Sequence, residues 1–131
     1  MTRAVLDSSA LLAYLHEEPG ADRVELALDE VPVIGTANLA EVLTRLAEGG
    51  DVDVHERLVR QGLLGQSVLV EPLTQQDAVA IAELRAATRA AGLSLGDRAC
   101  LALARRLGLP ALTADRSWAD LDLGVDITLI R

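Results

Sequence analysis

Residues 4–15 read AVLDSSALLAYL. A short apolar run, residues 4–6, ends in a carboxylate, Asp7. Two serines follow, and a second apolar run starts at once. The first run is short and aliphatic, as a buried strand is. Behind it Leu11, Leu12 and Leu15 mark the apolar side of a helix. A strand that turns directly into a helix is the opening unit of an α/β sheet. It also sets Asp7 against a core, where a charge is costly unless something pairs with it or binds it.

Working outward, the same alternation continues. Strands are predicted at residues 3–6, 31–34, 68–70, 111–113 and 127–130. Helices are predicted at 8–16, 21–28, 36–48, 54–64, 75–91 and 96–107, with a helical turn at 117–121. Pro19-Gly20, Gly49-Gly50, Gly65, Gly92 and Gly108-Leu109-Pro110 punctuate them. In the helix at 96–107, the stretch ACLALA is apolar on nearly every side, so wide burial is expected there. The fold class implied is α/β, a three-layer α/β/α sandwich around a mainly parallel central sheet. No repeat, linker or low-complexity segment interrupts the chain, and residues 1–131 read as a single domain.

Composition narrows the function classes. Half the residues are hydrophobic and there is no Phe, so the core must be built from Ala, Leu and Val. No apolar stretch reaches membrane-spanning length, and no basic-then-apolar leader opens the sequence. The single Cys100 cannot form an internal disulfide; inside an apolar run it reads as a small buried hydrophobe of a cytoplasmic protein. The net charge is −8, with 20 acids against 12 bases, and every base is arginine. Such a chain is a poor general binder of nucleic acid. Any nucleic-acid role must rest on local chemistry.

That chemistry is suggested by four acids at comparable junctions: Asp7 after the first strand, Glu41 in the first turns of a helix (TANLAEVL), Asp97 at the start of the buried helix (LSLGDRACLALA), and Asp115 after a later strand (ALTADRSW). Sites in open parallel sheets form at the carboxyl ends of strands, so all four can converge at one edge. Each also has an ordinary role. Asp7 and Asp115 could cap the helices that follow them. Ser94 and Asp97 have capping-box spacing, as do Asn38 and Glu41, and Glu41 could pair with Arg45 one turn on. Taken together the acids point further. Carboxylates within ~4–6 Å of each other take up protons or hold cations. Mg²⁺ and Mn²⁺ favour such oxygen ligands, and two divalent ions suit phosphodiester hydrolysis.

VLDSSALLAYL, NLAEVL, LSLGDRACLALA and LTADRSW, in this order, resemble the four motifs of the PIN domain, and within it the VapC-like toxin ribonucleases of toxin–antitoxin pairs. The resemblance implies a metal-dependent endoribonuclease in which Asp7, Glu41, Asp97 and Asp115 are the catalytic acids and hold Mg²⁺ or Mn²⁺. Ser8 and Thr113 match small hydroxyl residues that support the acids. The family implies an RNA substrate, including tRNA or ribosomal RNA, a VapB-like antitoxin partner with a basic tail, and a homodimer. One departure concerns the position two residues after the fourth acid. Some relatives carry an acid there; this chain has Ser117, with Asp120 nearby.

Beside the acids, Arg98 and Arg116 are expected to hold RNA phosphates, since each adjoins a motif acid; Arg45 is a further candidate. Arg85 and Arg89 read as solvated, His16 and His55 as surface residues, and Trp118 and Tyr14 as packing residues. Two rival readings remain. One is a non-catalytic PIN-fold module that binds RNA or a protein. The other is an aspartyl-phosphate receiver, which the absence of lysine disfavours.

Overall fold

The computed structural model describes residues 3–131. Its elements run β1 (Val5–Leu6), α1 (Ser8–Leu15), α2 (Ala21–Leu28), β2 (Val33–Gly35), α3 (Thr36–Glu48), α4 (Val54–Arg60), β3 (Leu69–Glu71), α5 (Gln75–Thr88), α6 (Leu95–Leu107), β4 (Ala111–Thr113) and β5 (Ile127–Leu129). Short 3₁₀ turns occupy Arg89–Ala91 and Arg116–Asp120. The five strands form one sheet in the order β3-β2-β1-β4-β5, and every pairing is parallel.

Side-chain alternation divides the core into two layers. Leu6, Ile34 and Leu112 point to one face and pack with Ala10, Leu11, Val24, Val42 and Leu58 from α1 to α4. Val5, Val33 and Ala111 point to the other face, where Ile81, Leu84, Trp118 and residues 99–104 cover them. This is the α/β/α sandwich expected from the sequence. Ala99 to Ala104 of α6 are all buried, because α6 lies between the sheet, α3 and α5. With no Phe available, Trp118 is the one large aromatic of the core and is fully buried.

Differences from the predicted boundaries have local causes. Val31 has a left-handed φ of 50° and Pro32 follows, so β2 starts at Val33 and not at 31. α4 stops at Arg60, because Gly62 takes a φ of 84° and reverses the chain. The long helix over 75–91 ends its α portion at Thr88 and tightens into a 3₁₀ turn before Gly92.

The strand order places the site. From β1 the sheet grows to one side through β2 and β3, and to the other through β4 and β5. The order therefore switches between β1 and β4, and a crevice opens beyond the carboxyl ends of those two strands. Asp7 directly follows β1, and Asp115 lies two residues beyond β4.

Candidate active site

At the switch point a cleft of about 180 Å³ is lined by Asp7, Glu41, Asp97 and Asp115, together with Ser8, Ser9, Leu12 and Arg45. The four acids that the sequence singled out thus share one cleft. They come from four different elements, and each element delivers its acid by local geometry.

Asp7 stands at the N-cap position of α1 but makes no side-chain cap bond. Its Oδ2 instead accepts from Ser9 Oγ at 2.7 Å and from Thr113 Oγ1 at 2.9 Å. Thr113 also receives the Asp115 backbone N–H at 3.0 Å. It therefore ties the end of β1 to the loop that carries Asp115. Ser9 Oγ accepts the Ala114 N–H at 3.0 Å and closes the same seam. Sequence reasoning chose Ser8 and Thr113 as supports for the acids and passed over Ser9. Its signal was its place one residue further into α1.

Ser8 serves a different acid. Its Oγ donates to Glu41 Oε1 at 2.6 Å. Asn38, one turn before Glu41 on α3, is fully buried, and its Nδ2 faces Ser8 Oγ, Glu41 Oε1 and the Gly96 carbonyl at 3.0–3.2 Å. Three acceptors around the amide nitrogen fix its orientation. The expected pairing of Glu41 with Arg45 is not formed: among the described residues neither takes part in an ion pair within 4.0 Å. Ser8 and Asn38 hold the carboxylate away from its helical neighbour.

Asp97 forms the capping box that its spacing predicted. Ser94 Oγ accepts the Asp97 N–H at 3.1 Å, and Asp97 Oδ2 accepts the Ser94 N–H at 2.9 Å. Asp115 caps the following 3₁₀ turn: its Oδ1 accepts from Ser117 N at 2.9 Å and Ser117 Oγ at 2.7 Å. Ser117, which stands where some relatives carry an acid, thus orients Asp115. Asp120 is exposed on the same turn and does not line the cleft.

One regularity unites these bonds. They fall on a single oxygen of each carboxylate: Oδ2 of Asp7, Oε1 of Glu41, Oδ2 of Asp97 and Oδ1 of Asp115. The other oxygen takes none of them. Among the described residues, no arginine lies within 4.0 Å of any of the four acids. The charge is uncompensated, and the titration of neighbouring groups registers it. Burial raises the Asp7 pKa above the usual aspartate value; the bonds from Ser9 and Thr113 lower it, and the Asp97 charge adds to the rise. Beneath the acids the Cys100 thiol is pushed well up, first by burial and then by Asp7, Asp97 and Glu41. It is the small buried hydrophobe that the sequence implied.

An all-oxygen donor set with no cationic partner fits a hard divalent ion. Among the described residues no three His, Cys, Asp or Glu side chains are grouped closely enough to hold a metal ion. The fit rests on the donor chemistry and on the unpartnered oxygens.

The arginines are placed less uniformly. Arg98 is turned away from the cleft, and its Nη1 donates to the Ile81 carbonyl on α5 at 2.8 Å. This position holds two helices together and does not support the phosphate-binding role expected from its sequence neighbour. Arg116 is exposed beside Asp115 but does not line the cleft. Arg45 does line it.

Comparison with known proteins identifies the family of this fold. The sequence model of one family, the PIN domain, matches residues 4–123. The chain belongs to the PIN domain family. No curated protein matches its sequence. Solved structures share its PIN fold from end to end. A toxin–antitoxin complex from Klebsiella pneumoniae is 20% identical, with 98% of each chain covered and a TM-score of 0.70. The DNA-bound VapBC of Salmonella typhimurium is 17% identical over 100% of each chain, with a TM-score of 0.71. VapBC2 of Rickettsia felis, bound to a promoter DNA fragment, is 12% identical, covers 95% and 96% of the two chains, and has a TM-score of 0.75. Among the described residues, no helix is long and apolar enough to cross a membrane.

Proposed function

We propose that this PIN domain is a metal-dependent endoribonuclease, the VapC-like toxin of a toxin–antitoxin pair. The observation that carries the reading is the set of four carboxylates at the sheet's switch point. Each is oriented through one oxygen and keeps the other free of those bonds. A fold with no cation to hold gains nothing from four uncompensated charges, whose mutual repulsion costs stability.

In this reading Asp7, Glu41, Asp97 and Asp115 hold Mg²⁺ or Mn²⁺. Such an ion supplies the positive charge that lets an RNA phosphate approach an acidic cleft, and it acidifies water. The residues of the chain do the positioning. Ser9 and Thr113 fix Asp7, Ser8 and Asn38 fix Glu41, Ser94 fixes Asp97, and Ser117 fixes Asp115. One of the four acids accepts the proton of the attacking water. The acidic cleft also suits a basic peptide, and a VapB-like antitoxin with an Arg- or Lys-rich tail is the partner that its charge would attract. The homodimer and cytoplasmic location expected from the resemblance belong to the same proposal.

Calorimetric titration of Mn²⁺ into the wild-type protein and an Asp97→Asn variant, with cleavage of a labelled tRNA pool followed in parallel, tests the reading. Binding and cleavage in the wild type, both lost in the variant, are expected. A variant that binds Mn²⁺ and cleaves like the wild type overturns it, as does a wild type that binds no Mn²⁺.

A further inference from the structure

The acid cleft does not end at the acids. Ser9, Leu12 and Arg45 also line an adjoining cleft of about 330 Å³, which runs on past His16 to Arg131. His16 and Arg45 in turn line a third, of about 310 Å³, toward the turn at Gly49 and Gly50 that ends α3. The three share Arg45 and form a continuous groove leading away from the catalytic acids between α1 and α3.

Beyond the catalytic acids this groove is not acidic as the protein is: Arg45 and Arg131 stand against Glu18 and Asp51. Two carboxylates lie in it beyond the catalytic cleft, and both are neutralised: Glu18 lies 3.6 Å from Arg131, and Asp51 makes a two-pronged pair with Arg57 at 2.6 and 2.9 Å. Arg45 is exposed and, among the described residues, has no ion pair. An arginine left without a carboxylate beside four acids is held for another anion. Its five donors match a phosphate.

We propose that this groove is the path of the RNA strand beside the scissile bond, with Arg45 gripping the phosphodiester next to it. The proposal rests on the ribonuclease reading and gives its substrate a direction: the strand runs over α1 and the end of α3, not over Arg98 or Arg116. A phosphate contact from Arg45 reads backbone and not base edges, so its contribution is independent of sequence.

The test is steady-state cleavage of a labelled single-stranded RNA pool in Mn²⁺ between 50 and 200 mM salt, comparing wild type with Arg45→Ala and Arg85→Ala; Arg85 lies on α5, outside the groove. Each phosphate contact with a single strand adds about 0.7 to the slope of log affinity against log salt. Arg45→Ala is expected to lower kcat/KM at low salt about tenfold and to flatten its salt slope by about 0.7. Arg85→Ala keeps the wild-type slope, and Arg45→Lys restores it. A wild-type slope in Arg45→Ala, or a loss equal at every salt concentration, overturns the groove while leaving the nuclease intact. A wild type that cleaves no RNA overturns both.

Discussion

Gly96 and Glu41 compete for one position: a Cβ built on Gly96 would coincide with the Glu41 carboxylate, whose Cδ lies 2.6 Å from it. Glu41 comes from α3 and Gly96 from the first turn of α6, so the missing side chain on one helix is the seat for the acid of another. Glycine inside a helix is less favourable than alanine by about 1 kcal/mol. The conformation needs no left-handed φ here, so space alone accounts for it.

Gly96→Ala is therefore expected to separate stability from activity. The helix gains propensity, while Ser8 and Asn38 lose their hold on a displaced carboxylate. Melting temperature should stay level or rise, and Mn²⁺ affinity and RNA cleavage should each fall at least tenfold. A variant with full activity would show that Glu41 tolerates displacement.

Asp7 makes a pH prediction for the metal-free protein. Burial raises its folded pKa above the unfolded value, so the folded state binds the proton more tightly. Its contribution is least favourable above the folded pKa and improves as pH falls toward the ordinary aspartate value near 3.8. Asp7→Asn removes that dependence. The difference in unfolding free energy between variant and wild type should favour the variant at neutral pH and shrink on acidification, while RNA cleavage is lost at every pH.

The Asp77–Arg106 pair carries the opposite sign. Asp77 is buried at the start of α5, in a capping box with Thr74, and Arg106 of α6 reaches its two oxygens at 2.8 and 3.1 Å. Burial acts to raise the Asp77 pKa, but the bonds from Arg106 and Thr74 together bring it below the usual value. The stability it contributes is present above the unfolded pKa and is lost as pH falls through the lower folded one. Arg106→Ala leaves the buried carboxylate without its partner and should cost about 2 kcal/mol in urea unfolding near neutral pH. It should leave Mn²⁺ binding unchanged.

Metal should stabilise the native state by linkage. At a hundredfold excess over its dissociation constant, Mn²⁺ is expected to add about 2.7 kcal/mol, seen as a rise in melting temperature. Asp97→Asn should abolish that rise, and EDTA should reverse it in the wild type.

Much of this was legible in the chain. AVLDSS showed the strand, the helix and the acid set against the core between them, because a run of three apolar residues and a change of period are local signals. The four acids were found by their common position after strands and at helix starts. What the sequence did not show depended on contacts between distant residues. Ser9 meets Thr113 and Ala114 only because β4 lies beside β1. Asn38 reads as a possible cap in TANLAEVL, yet its amide bridges to Ser8 and Gly96, thirty and fifty-eight residues away. Arg98 seemed placed for phosphate by its neighbour Asp97, but successive residues on a helix face different ways, and its guanidinium went to α5.

The sheet order also determines when the protein becomes dangerous to the cell that makes it, if it cuts RNA as proposed. β1 emerges first from the ribosome, but one of its two neighbours is β4, more than a hundred residues later, and Asp115 follows β4. Until that strand is translated and inserted, Asp7 lacks the Thr113 bond and the cleft lacks its fourth acid. Under that proposal the nascent chain holds no complete set of acids until β4 has joined the sheet.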